Sequence, residues 1–409
     1  MIDTADDGLD LLTSDQMGVV LRGVVADANG ELLGWQLDQI DANPGHSTTA
    51  TYQTTVRWPR GERREVFGVS ARAEGLSATD ERSRIVAVRD RQVAVWLYPS
   101  DPELPGLARA AVPQRMAQFV TDENLVSRPV RAEEVQLQMI GYRPRRRAVI
   151  RMTVAGSTFY VKVLREQLFA SILERHTLLR RAGVCSPEVV ASSEDNLLAL
   201  ASVPGRPLSK AIFDDVDPCT AEQLIDLLDS LPPTVAELSR RTPWTDNLAH
   251  YARIVSQSMP EEEPRLERMV DHITSGLALL EGAGPAPANE ATHGDFHEGQ
   301  VYVANGRIAG LVDVDTIGPG RRVDDLACLV AHLSTVQRMT RAQTQRVSEL
   351  LHSWVPVFDE RVDPHELRLR AAAVIISLAT GPHRAQEPEW RSETARMLTC
   401  ADTLSRQVS

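Results

Sequence analysis

The stretch "THGDFHEGQVYVANGRIAGLVDVDTIGPG", residues 292–320, gathers His293, Asp295, His297, Glu298, Gln300, Asp313 and Asp315 within a short length. Carboxylates and imidazoles this dense bind metal, move a proton, or face water. The apolar run between them narrows the choice. Gln300 opens "VYV", Asn305-Gly306 is a turn signal, and "IAGLVDVD" follows. The pattern predicts a β-hairpin with Asp295 on the loop ahead of its first strand and Asp313 at the end of its second. Both carboxylates then meet at one edge.

That layout is the one used for phosphoryl transfer: a carboxylate before a strand pair, an oxygen ligand five residues on, and a carboxylate closing the pair. The attacking hydroxyl has to lose a proton, and Asp295 is the expected base. The charged phosphates need Mg²⁺, which takes hard oxygen ligands. A carboxylate (Asp313) with a neutral amide oxygen (Gln300) supplies these. Asp315 is either a further metal contact or a cap for the "TIGPG" turn. Upstream, "FYVKVLRE" sets Lys162 inside an apolar strand, where an unpaired ammonium is costly. Glu174, on the amphipathic helix that follows, is its expected partner in a clamp for nucleotide phosphates. The alternative is an edge lysine that keeps its head in water.

Composition sets the frame. The chain has 409 residues, 43% of them apolar, which suits a globular protein of two or three domains. Its net charge of −12 argues against general affinity for nucleic acid or anionic lipid. The four cysteines, Cys185, Cys219, Cys328 and Cys400, form no CxxC pair, so reduced thiols are expected rather than a zinc site. "MIDTADDGLDLL" has neither the basic start nor the apolar core of a secretory leader, and no run suits a membrane span. A cytoplasmic protein with no membrane partner is expected.

Along the chain, the first third reads as strands. "GVVLRGVVADANGELLGWQLDQI" has β-branched runs broken by "DANG"; "TTATYQTTVRW", "REVFGVSARA" and "RIVAVRDRQVAVWLYP" follow, with "RDRQ" as a turn. A linker and short helix come next, then the hairpin "AVIRMTVAG"/"TFYVKVLRE", an amphipathic helix closed by Gly183, and two short strands, "PEVVAS" and "NLLALASV". Beyond "PGRPLS" the periodicity is helical, except for the hairpin of the opening stretch. One echo runs through the β-rich part: "PGHSTTATYQTTVRW…EVFGVSARA" matches "PRRRAVIRMTVAG…STFYVKVLR" in order and spacing. Either a hairpin is duplicated or β composition has converged.

The set "FYVKVL", "LERHTLLRRAG", "HGDFHEGQ" and "LVDVDTIGPGRRVDDLA" resembles the aminoglycoside phosphotransferase, or kinase-like, superfamily, clearly over about residues 135–335. The resemblance implies an α+β bilobal kinase fold with ATP between the lobes and Mg²⁺ at the phosphates. It places a hinge at Leu200 to Val203, with Ala201 and Val203 at the nucleotide, and a bracing role on His293. Gln300 stands where the superfamily usually has Asn. It is similar in this to the maltokinase-like branch, which carries an extra N-terminal cap. The implied domains are a β-rich cap over 1–111, an ATP-side lobe over 112–205, and a helical lobe over 206–409.

No GxGxxG loop is present. "YRPRRRAVIRM" takes its place, its arginines either touching phosphate or forming a solvated turn. "LVDVDTIGPGRRVDDLACLVAHL" and "ATGPHRAQEPEWRSE" look most like actinobacterial glucosamine kinases. This implies D-glucosamine as acceptor, phosphorylated at its 6-hydroxyl. Asp295, His297, Arg384, Glu387 and Trp390 are the implied contacts. A carboxylate beside the amine would discriminate against glucose, and Trp390 would stack on the sugar. The bland reading of "TGPHRAQEPEW" is a polar interhelical loop whose Trp packs on the core. Maltose or an aminoglycoside as acceptor, or a non-catalytic pseudokinase, are the alternatives; a monomer or weak homodimer is expected. Asp324 and Asp325 are read as caps of "DLACLVAHL" that also steady the catalytic loop.

Overall fold

The computed structural model describes residues 7–75, 80, 82–88, 91–283 and 289–407. The chain divides into two units. The first runs to Ala170 and takes in Val189–Ser202 and His383–Pro388; the second holds Ser171–Glu188, Val203–Pro382 and the chain from Glu389.

The first unit opens with helices α1 (Leu9–Leu12) and α2 (Gln16–Asp27). This corrects the sequence reading, which took "GVVLRGVVAD" as strand. The valine doublets look β-like, but Met17, Leu21 and Val25 recur every four residues and are all buried. That single buried face, packed against the sheet that follows, overrides a modest β preference. Strands β1 (Glu31–Asn43), β2 (Ser47–Trp58), β3 (Gly61–Arg72), β4 (Arg84–Val88) and β5 (Arg91–Leu97) form an antiparallel sheet in the order β1-β2-β3-β5-β4. The middle of the expected "RDRQ" turn, Arg89 and Asp90, lies outside the described residues.

Helices α3 (Leu107–Ala110) and α4 (Pro113–Asp122) come next. Strands β6 (Gln136–Arg143), β7 (Arg147–Val154) and β8 (Ser157–Leu164) follow, then helix α5 (Glu166–Arg181) and strands β9 (Val189–Ser192) and β10 (Leu197–Ala201). The second sheet has the order β6-β7-β8-β10-β9, the same path as the first. The match extends to local chemistry. Asn43-Pro44-Gly45-His46 and Arg143-Pro144-Arg145-Arg146 both turn with a positive φ at the third residue, 74° at Gly45 and 61° at Arg145. In each the fourth N–H donates to the first carbonyl, at 2.9 and 3.0 Å. Helices α2 and α4 both end on an asparagine of positive φ, Asn29 and Asn124. The sequence echo is therefore a repeated supersecondary unit. In the common register Ser70, between Thr49 and Ala94, holds the place that Lys162 holds between Val149 and Leu198.

The arginine-rich turn takes a form that neither sequence alternative described. Arg145 is buried, and its guanidinium bonds Asp80 and, at 3.0 Å, Glu103. Its backbone N–H donates to Asp101 at 2.8 Å, and its charge sits over the Trp96 ring. Arg146 pairs with Asp41 of β1 at 3.0 Å. Arg145 is thus an anchor holding the second sheet's first turn to the segment before it. Removing one partner of a buried ion pair strands the other. Arg145→Ala is expected to cost roughly 3–5 kcal/mol in urea unfolding; a loss below about 1 kcal/mol, the range of exposed ion pairs, would show that the pairing carries no weight.

The second unit contains β11 (Arg206–Pro207), α6 (Leu208–Ala211), α7 (Ala221–Asp229), α8 (Leu248–Ser258), α9 (Glu263–Ala283) and β12 (Glu290–Thr292). After these come β13 (Val301–Ala304), β14 (Arg307–Leu311), β15 (Gly318–Gly320), α10 (Arg322–Ser334), α11 (Arg341–Arg361), α12 (Pro364–Leu378), α13 (Gly381–Arg384) and α14 (Trp390–Arg406). The expected hairpin is present as β13 and β14, with β11 at its edge. Strand β15, read only as a turn, pairs with β12. Helices α10 and α12 are buried on nearly all sides and form the centre of this unit's core. The site is built on α10. Among the described residues the four cysteines are free, and no helix is long and apolar enough to cross a membrane.

Candidate active site

The loop from His293 to Gln300 is held at its backbone. Asp325 of α10 accepts the N–H groups of His293 and Gly294, each at 2.8 Å. Thr316 Oγ1 donates to the His293 carbonyl at 2.7 Å, and the imidazole Nε2 of His293 meets the Val312 carbonyl at 3.1 Å. Gly294 has φ 78°, and a Cβ there would lie 2.7 Å from the Thr316 carbonyl oxygen, so only glycine fits. His293 and Phe296 are fully buried, while Asp295 between them is partly open.

Asp325 does not cap α10, as the sequence reading had it. The N-cap is Arg321, which makes no side-chain cap bond, and Asp325 sits inside the first turn. Burial pushes its carboxyl up to about 6, against the pull of its two backbone donors and Arg322. Asp324 serves the fold: it pairs with Arg370 at 3.1 Å and accepts from Thr245 at 3.1 Å.

The hairpin brings Gln300 and Asp313 together. The amide Nε2 of Gln300 donates to Asp313 Oδ2 at 3.4 Å, and Val312 N–H donates to the Gln300 backbone carbonyl at 2.8 Å. Asp313 has φ 54° and ψ 47°, a left-handed conformation uncommon outside glycine and short polar residues. It turns the chain into the one-turn helix Val314–Thr316. Asp315 Oδ1 is 3.6 Å from Nε2 of His176 on α5, and the neighbouring Arg175 donates to the Ile317 carbonyl at 3.0 Å. Helix α5 therefore supports the segment that carries Asp313 and Asp315.

His297 and His332 were not paired by the sequence reading. Their rings stack at 4.1 Å and 6°, with His332 contributed by α10. Burial and the neighbouring His297 push the His332 imidazole down to about 3, which keeps it neutral. Asp295, His297 and His332 have ligand atoms within 4.8 Å of one another. Two parallel stacked rings still cannot aim their in-plane lone pairs at one ion, so this trio is poorly arranged as a metal centre. Glu298, near both rings, is half-buried, and the desolvation raises its carboxyl.

The remaining predicted residues lie as follows. Lys162 is buried in β8, and Glu174 is exposed on α5. Ala201 ends β10, and the chain passes from the first unit to the second between Ser202 and Val203. Arg384 and Glu387 belong to the segment His383–Pro388 that groups with the first unit. There, after burial, the charge of Arg384 helps to push Arg143 down to about 10. Trp390 opens α14, half-buried, with the Arg391 guanidinium 4.4 Å from its ring centre.

The model of a family described as "Phosphotransferase enzyme family" matches residues 145–393, more than half of the chain. No curated protein matches it. Similar solved structures include a thermostable mutant of an aminoglycoside phosphotransferase in ternary complex with AMP-PNP and hygromycin B (14% identity, 71% of this chain and 97% of that one, TM-score 0.49). Choline kinase from Cryptosporidium parvum is another (10%, 72% and 95%, 0.49), as is Plasmodium vivax ethanolamine kinase (11%, 72% and 90%, 0.47).

Proposed function

The chain belongs to the phosphotransferase enzyme family, and on that premise we propose that it moves the terminal phosphoryl group of ATP to a hydroxyl of an amino sugar. The acceptor we favour is D-glucosamine, with glucosamine 6-phosphate as product. One observation carries the chemistry: Asp295 is the partly open carboxylate of a loop whose flanking residues are buried and tied to Asp325 and Val312. In the step itself, the acceptor oxygen bonds to the γ-phosphorus as the bond to ADP breaks, and the acceptor proton passes to Asp295.

Gln300 and Asp313 would hold Mg²⁺, with Asp315 as a further candidate. The support is that the two side-chain ends meet where Asp313 turns left-handed, Gln300 Nε2 donating to Asp313 Oδ2; with the amide turned, both would offer hard oxygens to the ion. When bound, the ion neutralises phosphate charge. Lys162 and Glu174 are proposed for the nucleotide phosphates, and Ala201 and Val203 for the base. Arg384, Glu387 and Trp390, with Asp295 and His297, are proposed for the acceptor. Gln300 in place of Asn supports the maltokinase-like branch, and the resemblance of "ATGPHRAQEPEWRSE" supports an amino sugar within it.

The acceptor is tested by ADP release with D-glucosamine, maltose and kanamycin side by side. The expected kcat/KM for glucosamine exceeds the others by at least about tenfold, the scale that a single added polar contact can supply. A higher value for maltose or kanamycin would move the assignment to that acceptor.

A further inference from the structure

Arg145 and Arg146 of the arginine-rich turn are taken up by Asp80, Glu103 and Asp41. Two more arginines flank that turn. Arg143 ends β6, Arg147 opens β7, and they stand directly opposite each other in the antiparallel register. Directly opposed residues are close neighbours, about 4.5–5.5 Å apart at Cβ, and like charges there are destabilising.

Arg143 has little to offset this. It is half-buried, and among the described residues its side chain makes no hydrogen bond or ion pair. Burial pushes its guanidinium down to about 10, and the charge of Arg384 adds to that push, ahead of those of Arg147 and Arg146. Asp41 pulls the other way, but its carboxylate is bonded to Arg146 at 3.0 Å. Arg384 closes α13, in the segment that groups with the same unit as the hairpin. Hairpin and late segment thus bring positive charge to one place, around a desolvated guanidinium with no partner of its own.

Such a gathering lowers stability, and a bound anion reverses the loss. Guanidinium groups present their N–H donors as planar forks that match phosphate oxygens two at a time. A carboxylate balances one arginine. A phosphate group, with about two negative charges and three acceptor oxygens, serves several.

We infer that Arg143, Arg147 and Arg384 form a binding site for a phosphate group of a small molecule, on a turn that Arg145 holds in place. The site depends on neither the acceptor nor the metal ligands proposed above, and it gives Arg384 a task beyond contact with the acceptor. Two sources share this chemistry: the phosphates of a nucleotide, and free phosphate or a phosphomonoester.

Calorimetric titration of the full chain with ADP, inorganic phosphate and glucosamine 6-phosphate tests it. Arg63→Gln, at an exposed position of β3, controls for a general loss of positive charge. At least one probe is expected to bind about tenfold or more weakly in Arg143→Gln, and likewise in Arg384→Gln, the scale of a hydrogen bond to a charged group. Weakening confined to ADP identifies the nucleotide as the source. Weakening that extends to inorganic phosphate or glucosamine 6-phosphate identifies the free anion or monoester. No binding of any probe by the wild type, affinities within about threefold in both variants, or an equal loss in Arg63→Gln would overturn the inference. Thermal unfolding in phosphate-free buffer separates binding from a structural role. There Arg143→Gln is expected to melt at or above the wild-type temperature, because a repelled charge is gone. A lower melting temperature would show that Arg143 supports the fold, and would overturn the inference too.

Discussion

Asp295→Asn is expected to lower kcat by about 10²–10⁴-fold, the range that a positioned general base supplies, while ATP-analogue binding stays within about twofold of wild type. Asparagine keeps the size of the side chain and cannot take the acceptor proton. The loop itself should not move, because its backbone is held by Asp325, Thr316 and Val312, none of which touches the Asp295 carboxylate through the bonds described. Steady-state kinetics with calorimetry of the nucleotide analogue separates the two quantities. A kcat within about threefold of wild type would remove Asp295 from the role of base.

The second large effect is on stability. Asp325→Ala takes away the acceptor of two buried N–H groups and leaves Arg322, 3.7 Å from the carboxylate and itself buried, without that partner. Each stranded donor costs about 1–3 kcal/mol. The total expected in chemical unfolding is roughly 3–5 kcal/mol, as when one side of a buried ion pair is deleted. The pH dependence has a definite sign. Burial raises the folded carboxyl from 3.8 to about 6, so the folded chain binds its proton more tightly than the unfolded one. This group's contribution is full below 3.8 and falls as pH rises through about 6. Subtracting the unfolding free energies of Asp325→Ala from those of the wild type across that window should show the slope. A flat difference would mean that hydrogen bonds and Arg322 outweigh burial.

The parts of this site that lie close in sequence were readable from it. Gln300 and Asp313 flank one hairpin, whose turn and alternating strands are written locally, so the meeting of their side chains followed from strand geometry. The sheet repeat was readable for the same reason: both copies keep Pro in the turn and a hairpin of like spacing. What the sequence hid depends on distant partners. Asp325 steadies the catalytic loop 32 residues earlier, as expected, but the helix-cap half of that reading fails, because Asp325 lies inside the first turn of α10. His332 carried no local sign that its ring would cover His297. Arg145 sat in a run of arginines that suggested phosphate or water, and only the fold brings Asp80 and Glu103 to it. Helix α2 was misread because paired valines imitate a strand until the four-residue spacing of its buried face is weighed.

The most direct test of the phosphoryl-transfer reading is ³¹P NMR of the wild-type protein with MgATP and D-glucosamine. The expected result is a sugar phosphomonoester signal that grows in step with ADP and is absent with Asp295→Asn. ATP left intact beside glucosamine, maltose and kanamycin alike, with the protein folded, would contradict the account.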